Sequence, residues 1–183
     1  IVIPTYQRPH YFRLALESVL AQTYRNLDIF ITDNSHNKET ADMMQRDFSD
    51  DPRIHYEHHP TYGEIENWVC ANSYDNPEAE YVNWLMDDDL FMTKKIADMV
   101  DWMVANPDVG IVTSYRESID EDGNKLPDIP STKPIVKETT KLSGEIMGRN
   151  MLLHQVNYIG EPTTPLLRND FDIDTTLNRS SGE

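Results

Sequence analysis

The sequence predicts one α/β domain: a central, mainly parallel sheet flanked by helices. Three observations carry that reading. Short apolar runs alternate with amphipathic stretches of roughly 10–15 residues through the first half of the chain. Polar, carboxylate-rich turns follow the apolar runs at Thr5, Asp33 and Asp87. The length, 183 residues, is that of one ordinary domain.

The elements follow in order. Residues 1–4 read as a strand stub. From Pro9 a helical period runs to residue 22, with Phe12, Ala15, Leu16, Val19 and Leu20 on one face. Pro9 suits the first turn of that helix. Residues 27–32 are β-rich and end in the turn cluster Asp33-Asn34-Ser35. Residues 37–48 read as a helix, 53–58 as a short strand and 62–74 as a helix. Residues 81–86 form an apolar strand that stops abruptly at Asp87-Asp88-Asp89. Residues 94–105 repeat the helical period through Ile96, Met99, Val100, Met103 and Val104, and 109–115 is a further strand. The second half is less regular. Asp122-Gly123 predicts a hairpin turn, 128–137 a Pro-rich loop and 142–153 a helix. Gly160, Pro162 and Pro165 interrupt the stretch before Leu166-Leu167-Arg168.

Composition narrows the function. Lys plus Arg total 16 and Asp plus Glu total 32, a net charge of −16. A chain this acidic does not grip bare nucleic acid through its own cations. If it binds a polyanion, something else supplies positive charge. Apolar residues make up 38%, enough for a core. No apolar run approaches the roughly 18 residues of a membrane-spanning helix. The single cysteine, Cys70, excludes an intrachain disulfide and fits a reducing compartment. The chain begins without Met inside a strand and ends at Glu183 in a polar stretch, so both ends read as trimmed.

Asp87-Asp88-Asp89 is the first candidate for chemistry. Adjacent carboxylates repel unless they are solvated or neutralised by a divalent cation, and hard oxygen ligands select Mg²⁺ or Mn²⁺. The plainer alternative is a solvated turn whose last Asp caps the next helix. Position favours the metal reading, because open α/β sheets bind ligands beyond the carboxyl ends of their strands. Asp33 ends the second strand; it reads either as an acceptor for a base N–H or ribose hydroxyl, or as an Asx turn. In Pro4-Thr5-Tyr6-Gln7-Arg8, Tyr6 can stack on a base and Arg8 can approach phosphate. The alternative there is a simple helix entry.

Absences also decide. There is no Gly-x-Gly-x-x-Gly and no Gly-Lys-Ser/Thr phosphate loop, so neither a dinucleotide fold nor a P-loop is supported. No Gly-x-Ser-x-Gly elbow occurs. Cys70 reads as a packed core thiol. His58 and His59 are strand neighbours pointing to opposite faces, so they do not share a metal. Asp120–Asn124 lacks the later Glu of a calcium loop.

Taken together, these segments resemble family 2 glycosyltransferases. Ile1-Val2-Ile3-Pro4-Thr5-Tyr6-Gln7-Arg8-Pro9 is similar to that family's opening strand. Leu16-Glu17-Ser18-Val19-Leu20-Ala21-Gln22-Thr23-Tyr24 and Ile29-Phe30-Ile31-Thr32-Asp33-Asn34-Ser35 follow in the family's order. Tyr81-Val82-Asn83-Trp84-Leu85-Met86-Asp87-Asp88-Asp89 is similar to its DxD strand. Asn157-Tyr158-Ile159-Gly160-Glu161-Pro162-Thr163 through Arg168 looks like an acceptor-side segment of some members.

The resemblance implies a GT-A fold and transfer of a sugar, with inversion, from a nucleotide-diphosphate donor (a UDP-sugar is expected) to an acceptor hydroxyl. Residues 1–115 would bind the donor and 116–183 would form an acceptor-side half, truncated at its end, within one domain. Pro4, Thr5, Tyr6, Arg8, Asp33 and Asn67 would line the donor site, with Asp87 at the ribose. Asp88 and Asp89 would hold Mn²⁺ or Mg²⁺. The frame is ambiguous, because Met86 stands where many members have the first Asp and Asp87-x-Asp89 also reads as DxD. Asn34 replaces a common second Asp, and the usual basic residue is not evident in Gly63-Glu64-Ile65-Glu66-Asn67-Trp68. The base that takes the acceptor proton would be Glu161, Asp170 or Glu183, or a residue beyond Glu183. The acceptor would be a saccharide, a lipid-linked sugar or a protein. The location would be cytoplasmic, or peripheral at the inner face of a membrane. A non-catalytic relative that binds nucleotide or a partner protein is the main alternative. A nucleotidyltransferase is disfavoured by the lack of Gly between Thr5 and Arg8, and a purely structural domain would show no metal effect.

Overall fold

The computed structural model describes residues 1–129 and 132–169. Eleven elements run in chain order: β1 (Val2–Thr5), α1 (Pro9–Leu20), β2 (Ile29–Asp33), α2 (Glu39–Asp47), β3 (Ile54–His58), α3 (Glu64–Ser73), β4 (Tyr81–Val82), α4 (Lys95–Ala105), β5 (Ile111–Val112), α5 (Gly144–His154) and β6 (Leu166–Arg168).

Strands β1, β2 and β3 form a parallel sheet with β2 in the middle. Parallel sheets are covered on both faces, and the side chains alternate accordingly. Ile3, Ile29 and Ile31 are fully buried in the larger core with Phe12, Leu16 and Val19 of α1 and Met43 and Met44 of α2. Val2 and Phe30 pack on the other face against Ala71 of α3. Trp84 bridges Val2 in parallel, with Val2 N donating to Asn83 O and Leu85 N to Val2 O. The chain after β4 therefore lies beside β1, while β4 itself pairs antiparallel with β6. β6 in turn pairs antiparallel with β5.

The helices follow the sequence expectation, those over 94–105 and 142–153 included, and the strands after residue 80 depart from it. The strand expected over 81–86 is regular only at Tyr81 and Val82, because beyond them the chain turns from β6 towards β1. The strand expected over 109–115 shortens to Ile111 and Val112. Leu166–Arg168, too short to show a period, inserts between β4 and β5 and makes that end of the sheet antiparallel. The turn at Asp122-Gly123 forms, with Ile119 bridging Lys125. Cys70 is half-buried and packs against the Val2, Phe30 and Ala71 cluster, with its thiol turned towards Glu57 on the edge strand. Among the described residues no helix is long and apolar enough to cross a membrane.

Buried polar groups lock the elements together. Gln22 is fully buried; its Nε2 donates to Ser18 O and Met92 O, and its Oε1 accepts from Ile96 N. One side chain thus joins the end of α1 to the first turn of α4, where backbone donors lack helical partners. Arg168 donates to the carbonyls of Met103, Asn106 and Val109 at the far end of α4. A cation there suits the negative end of the helix dipole. The turn before β6 requires glycine: Gly160 has a φ of 101°, and a Cβ on it would lie 2.0 Å from Thr164 Oγ1.

Lys95 carries a charge into this framework at an electrostatic cost. Its Nζ donates to Asn83 Oδ1 at 2.6 Å and to Thr164 O at 3.1 Å, and it lies 4.5 Å from the Phe91 ring centre. Burial penalises the charge and pulls the amine down to about 7 from 10.5. Between those values the unfolded chain binds a proton that the folded chain does not, so stability rises with pH across that window. Unfolding free energies measured in urea should therefore show wild type gaining on Lys95→Met, on the order of 2 kcal/mol from about pH 7 to 9. Parallel pH profiles for the two proteins would contradict this.

Candidate functional site

The carboxyl ends of β1 and β2 and the segment following β4 converge, as the alternation of elements requires. Asp87 is at the centre. Its Oδ2 accepts from Thr5 Oγ1 at 2.8 Å and from Tyr6 N at 3.3 Å, and its Oδ1 accepts from Arg8 Nη1 at 3.4 Å. Asp88 is exposed and accepts from the same Arg8 nitrogen at 2.8 Å. Asp89 turns the other way and accepts from Thr163 Oγ1. The triplet thus splits among three surroundings, and Asp89 does not cap α4, which Lys94 precedes without any side-chain cap.

Charge and burial compete here. Burial pushes the Asp87 carboxyl above its ordinary value against the hydrogen bonds from Thr5 and Tyr6 and the charge of Arg8. Burial also raises Asp89, against the Thr163 hydroxyl, and the charges of Asp88, Glu161 and Asp87 raise it further. Arg8 is the positive charge that faces Asp87 and Asp88 in this structure. The three aspartates do not bring one oxygen each within 4.8 Å of one another. A cation at this place would therefore use one or two of them and complete its shell with other oxygens, as Mg²⁺ and its like do.

The loop after β1 is held in an unusual shape. Gln7 has a φ of 52°, a left-handed conformation costly for a non-glycine residue. Its backbone N–H donates to Ser35 Oγ at 2.7 Å, tying this loop to the one after β2. Tyr6 is left with its ring 43% exposed, edge-on to His36. Pro4 is buried in β1 opposite Thr32, where its missing N–H and fixed φ shape the strand end.

Asp33 is fully buried. Its Oδ1 accepts from Ser35 N at 2.8 Å, the Asx turn that its sequence context also predicts, and its Oδ2 accepts from Tyr56 Oη at 2.6 Å. The Tyr56 hydroxyl is raised by burial and by this carboxylate, so it stays protonated as the donor. Asn67 is 4% exposed at the inner face of α3. Its Nδ2 donates to Thr32 O at 3.4 Å, while its Oδ1 is buried without a partner. A buried acceptor in that state costs about 1–3 kcal/mol.

On the opposite side, Glu161 is exposed and paired with Arg116 at 2.7 Å. Its carbonyl accepts from Thr164 N, and its charge acts on Asp89. Asp170 and Glu183 lie outside the described residues. Two residues that matter here escape sequence reasoning. Thr163 bonds Asp89 and accepts from Met86 N, across 74 and 77 positions of chain that no spacing rule connects. Lys95 had a weak signal: it stands four positions before Met99 on an otherwise apolar helix face.

Known proteins place this arrangement. The pattern of "Glycosyl transferase family 2" matches residues 1–164. An uncharacterized glycosyltransferase of Rickettsia conorii is 32% identical over 94% of this chain, which spans 30% of that relative's length. A GalNAc(5)-diNAcBac-PP-undecaprenol beta-1,3-glucosyltransferase of Campylobacter jejuni is 26% identical over 55% of the chain and 32% of its own. The structure of S. aureus TarS 1–349 with UDP-GlcNAc superposes with a TM-score of 0.64 at 17% identity, covering 98% of this chain and 46% of that one. The fold is thus the GT-A fold that the sequence pattern implied, and the chain belongs to glycosyl transferase family 2.

Proposed function

We propose that this chain carries the donor site of an inverting glycosyltransferase that takes a sugar from a nucleoside diphosphate, UDP first, with a divalent cation. One observation supports this above the others. Three carboxylates just beyond the segment that runs beside β1 are divided between a nucleoside-side loop (Thr5, Tyr6, Arg8) and an opposite loop (Thr163, Glu161), and burial raises two of them, Asp87 and Asp89, above the ordinary carboxylate value.

In this reading Tyr6 offers its exposed ring to the base, and Asp33 and the unpartnered Asn67 Oδ1 supply acceptors. Pro4 and Thr5 form the wall, and Asp87 faces the ribose. Asp88 and Asp89 are the oxygens offered to Mn²⁺ or Mg²⁺. Such a cation offsets the negative charge gathering on the leaving diphosphate. Arg8 then leaves the aspartates for the diphosphate, to which a guanidinium is well matched. Inversion is one displacement. The acceptor oxygen bonds to the anomeric carbon as the bond to phosphate breaks, through an oxocarbenium-like state. A base on the far face takes the acceptor proton. Glu161 is on that side, but Arg116 already holds its carboxylate, which supports placing the base beyond the described residues. The acceptor, whether saccharide, lipid-linked sugar or protein, would approach from that side. The reading fits a cytoplasmic or membrane-peripheral protein, and at a net charge of −16 a bridging cation would ease the approach of an anionic donor.

Thermal unfolding with UDP, GDP, CDP and dTDP, with and without Mn²⁺, tests the donor site. UDP with Mn²⁺ at a hundredfold excess over Kd should raise the midpoint by about 5–10 °C. Asp88→Ala, which alters an exposed side chain, should abolish the rise. No shift with any pair would contradict the donor site. For the base, Glu161→Gln should leave any measured transfer within about threefold; loss of about 10²–10⁴-fold would instead make Glu161 the base.

A further inference from the structure

Glu57, His59 and Cys70 form a second polar cluster, between the edge strand β3 and α3. β3 is the edge strand, and Glu57 and His59 are two positions apart, so they share a face. That face looks towards α3, where Ala71 packs on Phe30. Cys70, the neighbour of Ala71, points back at Glu57. His59 Nε2 donates to Glu57 Oε2 at 2.9 Å, Cys70 Sγ donates to the same oxygen at 3.7 Å, and the three ligand atoms all lie within 4.8 Å of one another. His58 points the opposite way, to Ser35 O, and takes no part.

The cluster is preoriented. The His59 ring stacks on Tyr62 at 4.3 Å, and its backbone N–H donates to Asp33 O at 2.7 Å, extending the β2–β3 ladder by one residue. The ligand atoms of a four-coordinate zinc ion stand about 3.5 Å apart, given metal–ligand distances of about 2.0–2.3 Å. The separations here bracket that spacing, so small rotamer changes suffice.

We propose that Glu57, His59 and Cys70 bind one Zn²⁺ ion, with a fourth position open to solvent, and that the ion clips the edge strand to α3. The donor set of thiolate, imidazole and carboxylate is softer than three aspartates and selects zinc over Mg²⁺ or Mn²⁺. Burial and the Glu57 carboxylate raise the Cys70 thiol, so it is protonated before binding. The ion must expel that proton, as coordinating metals do, and binding weakens as pH falls.

Cobalt(II) titration of the full chain tests this, since cobalt takes zinc sites and reports a thiolate through its near-ultraviolet charge-transfer band. One equivalent should bind with that band, and Zn²⁺ should displace it. Cys70→Ser should abolish the band. Glu57→Gln and His59→Ala should each weaken binding more than tenfold, since even outer-shell partners are worth about 10–100-fold. Asp88→Ala should leave the band unchanged, which separates this site from the proposed donor site. Zn²⁺ should also raise the thermal midpoint of wild type but not of Cys70→Ser, whose own cooperative unfolding shows that the variant folds. Absence of the band overturns the proposal. So does a band whose affinity is unchanged in both Glu57→Gln and His59→Ala, which would mark a lone thiol.

Discussion

The structure depends on holding carboxylates partly out of water where the segment after β4 passes the end of β1. Burial raises the carboxyls of Asp87 and Asp89 above their ordinary value, and each is answered by a different loop. Thr5 and Tyr6 answer Asp87, and Thr163 answers Asp89. The left-handed Gln7 is a conformational cost in the loop that carries Thr5 and Tyr6. Strain of this kind persists only where surroundings over-determine it, which is the usual condition of a binding site.

The same need joins the two halves of the chain. Asn83, buried just before the aspartates, donates to Thr163 O and accepts from Lys95, which also holds Thr164 O. Residues 163 and 164 are thereby fixed to the strand they serve. β6 follows directly and pairs with both β4 and β5, and Arg168 at its end caps α4. The segment from Asn157 to Arg168 is thus a return of the chain to the acidic triplet, though it lies some 75 residues away in sequence. A ligand that touches the acidic triplet would have a mechanical route to the opposite loop through Thr163.

The sequence disclosed the first half well, because its information is local. Apolar residues at helical spacing placed Phe12, Ala15, Leu16 and Val19, and continuous apolar runs gave β1 and β2. The acidic triplet was legible because its position after an apolar strand is physically informative. Partners across long stretches of chain were not. Thr163 to Asp89 and Tyr56 to Asp33 are satisfied by topology, and topology is not written in a spacing. β6 was hidden because three residues carry no period. Cys70 packs against the smaller core as its helical position implies, but that position alone does not reveal that its thiol also meets Glu57 on the edge strand. The Asx turn and the nucleoside contact were weighed as alternatives for Asp33, and the turn is present with one oxygen while Tyr56 occupies the other.

Crystals grown with UDP and Mn²⁺, measured at a wavelength where manganese scatters anomalously, test the central claim directly. The account predicts one strong anomalous peak within coordination distance of Asp88 or Asp89 and of the diphosphate, with the uracil beside Tyr6, Asp33 and Asn67 and with Arg8 turned from the aspartates to the phosphates. Manganese elsewhere, or a nucleotide bound away from the ends of β1 and β2, would contradict it.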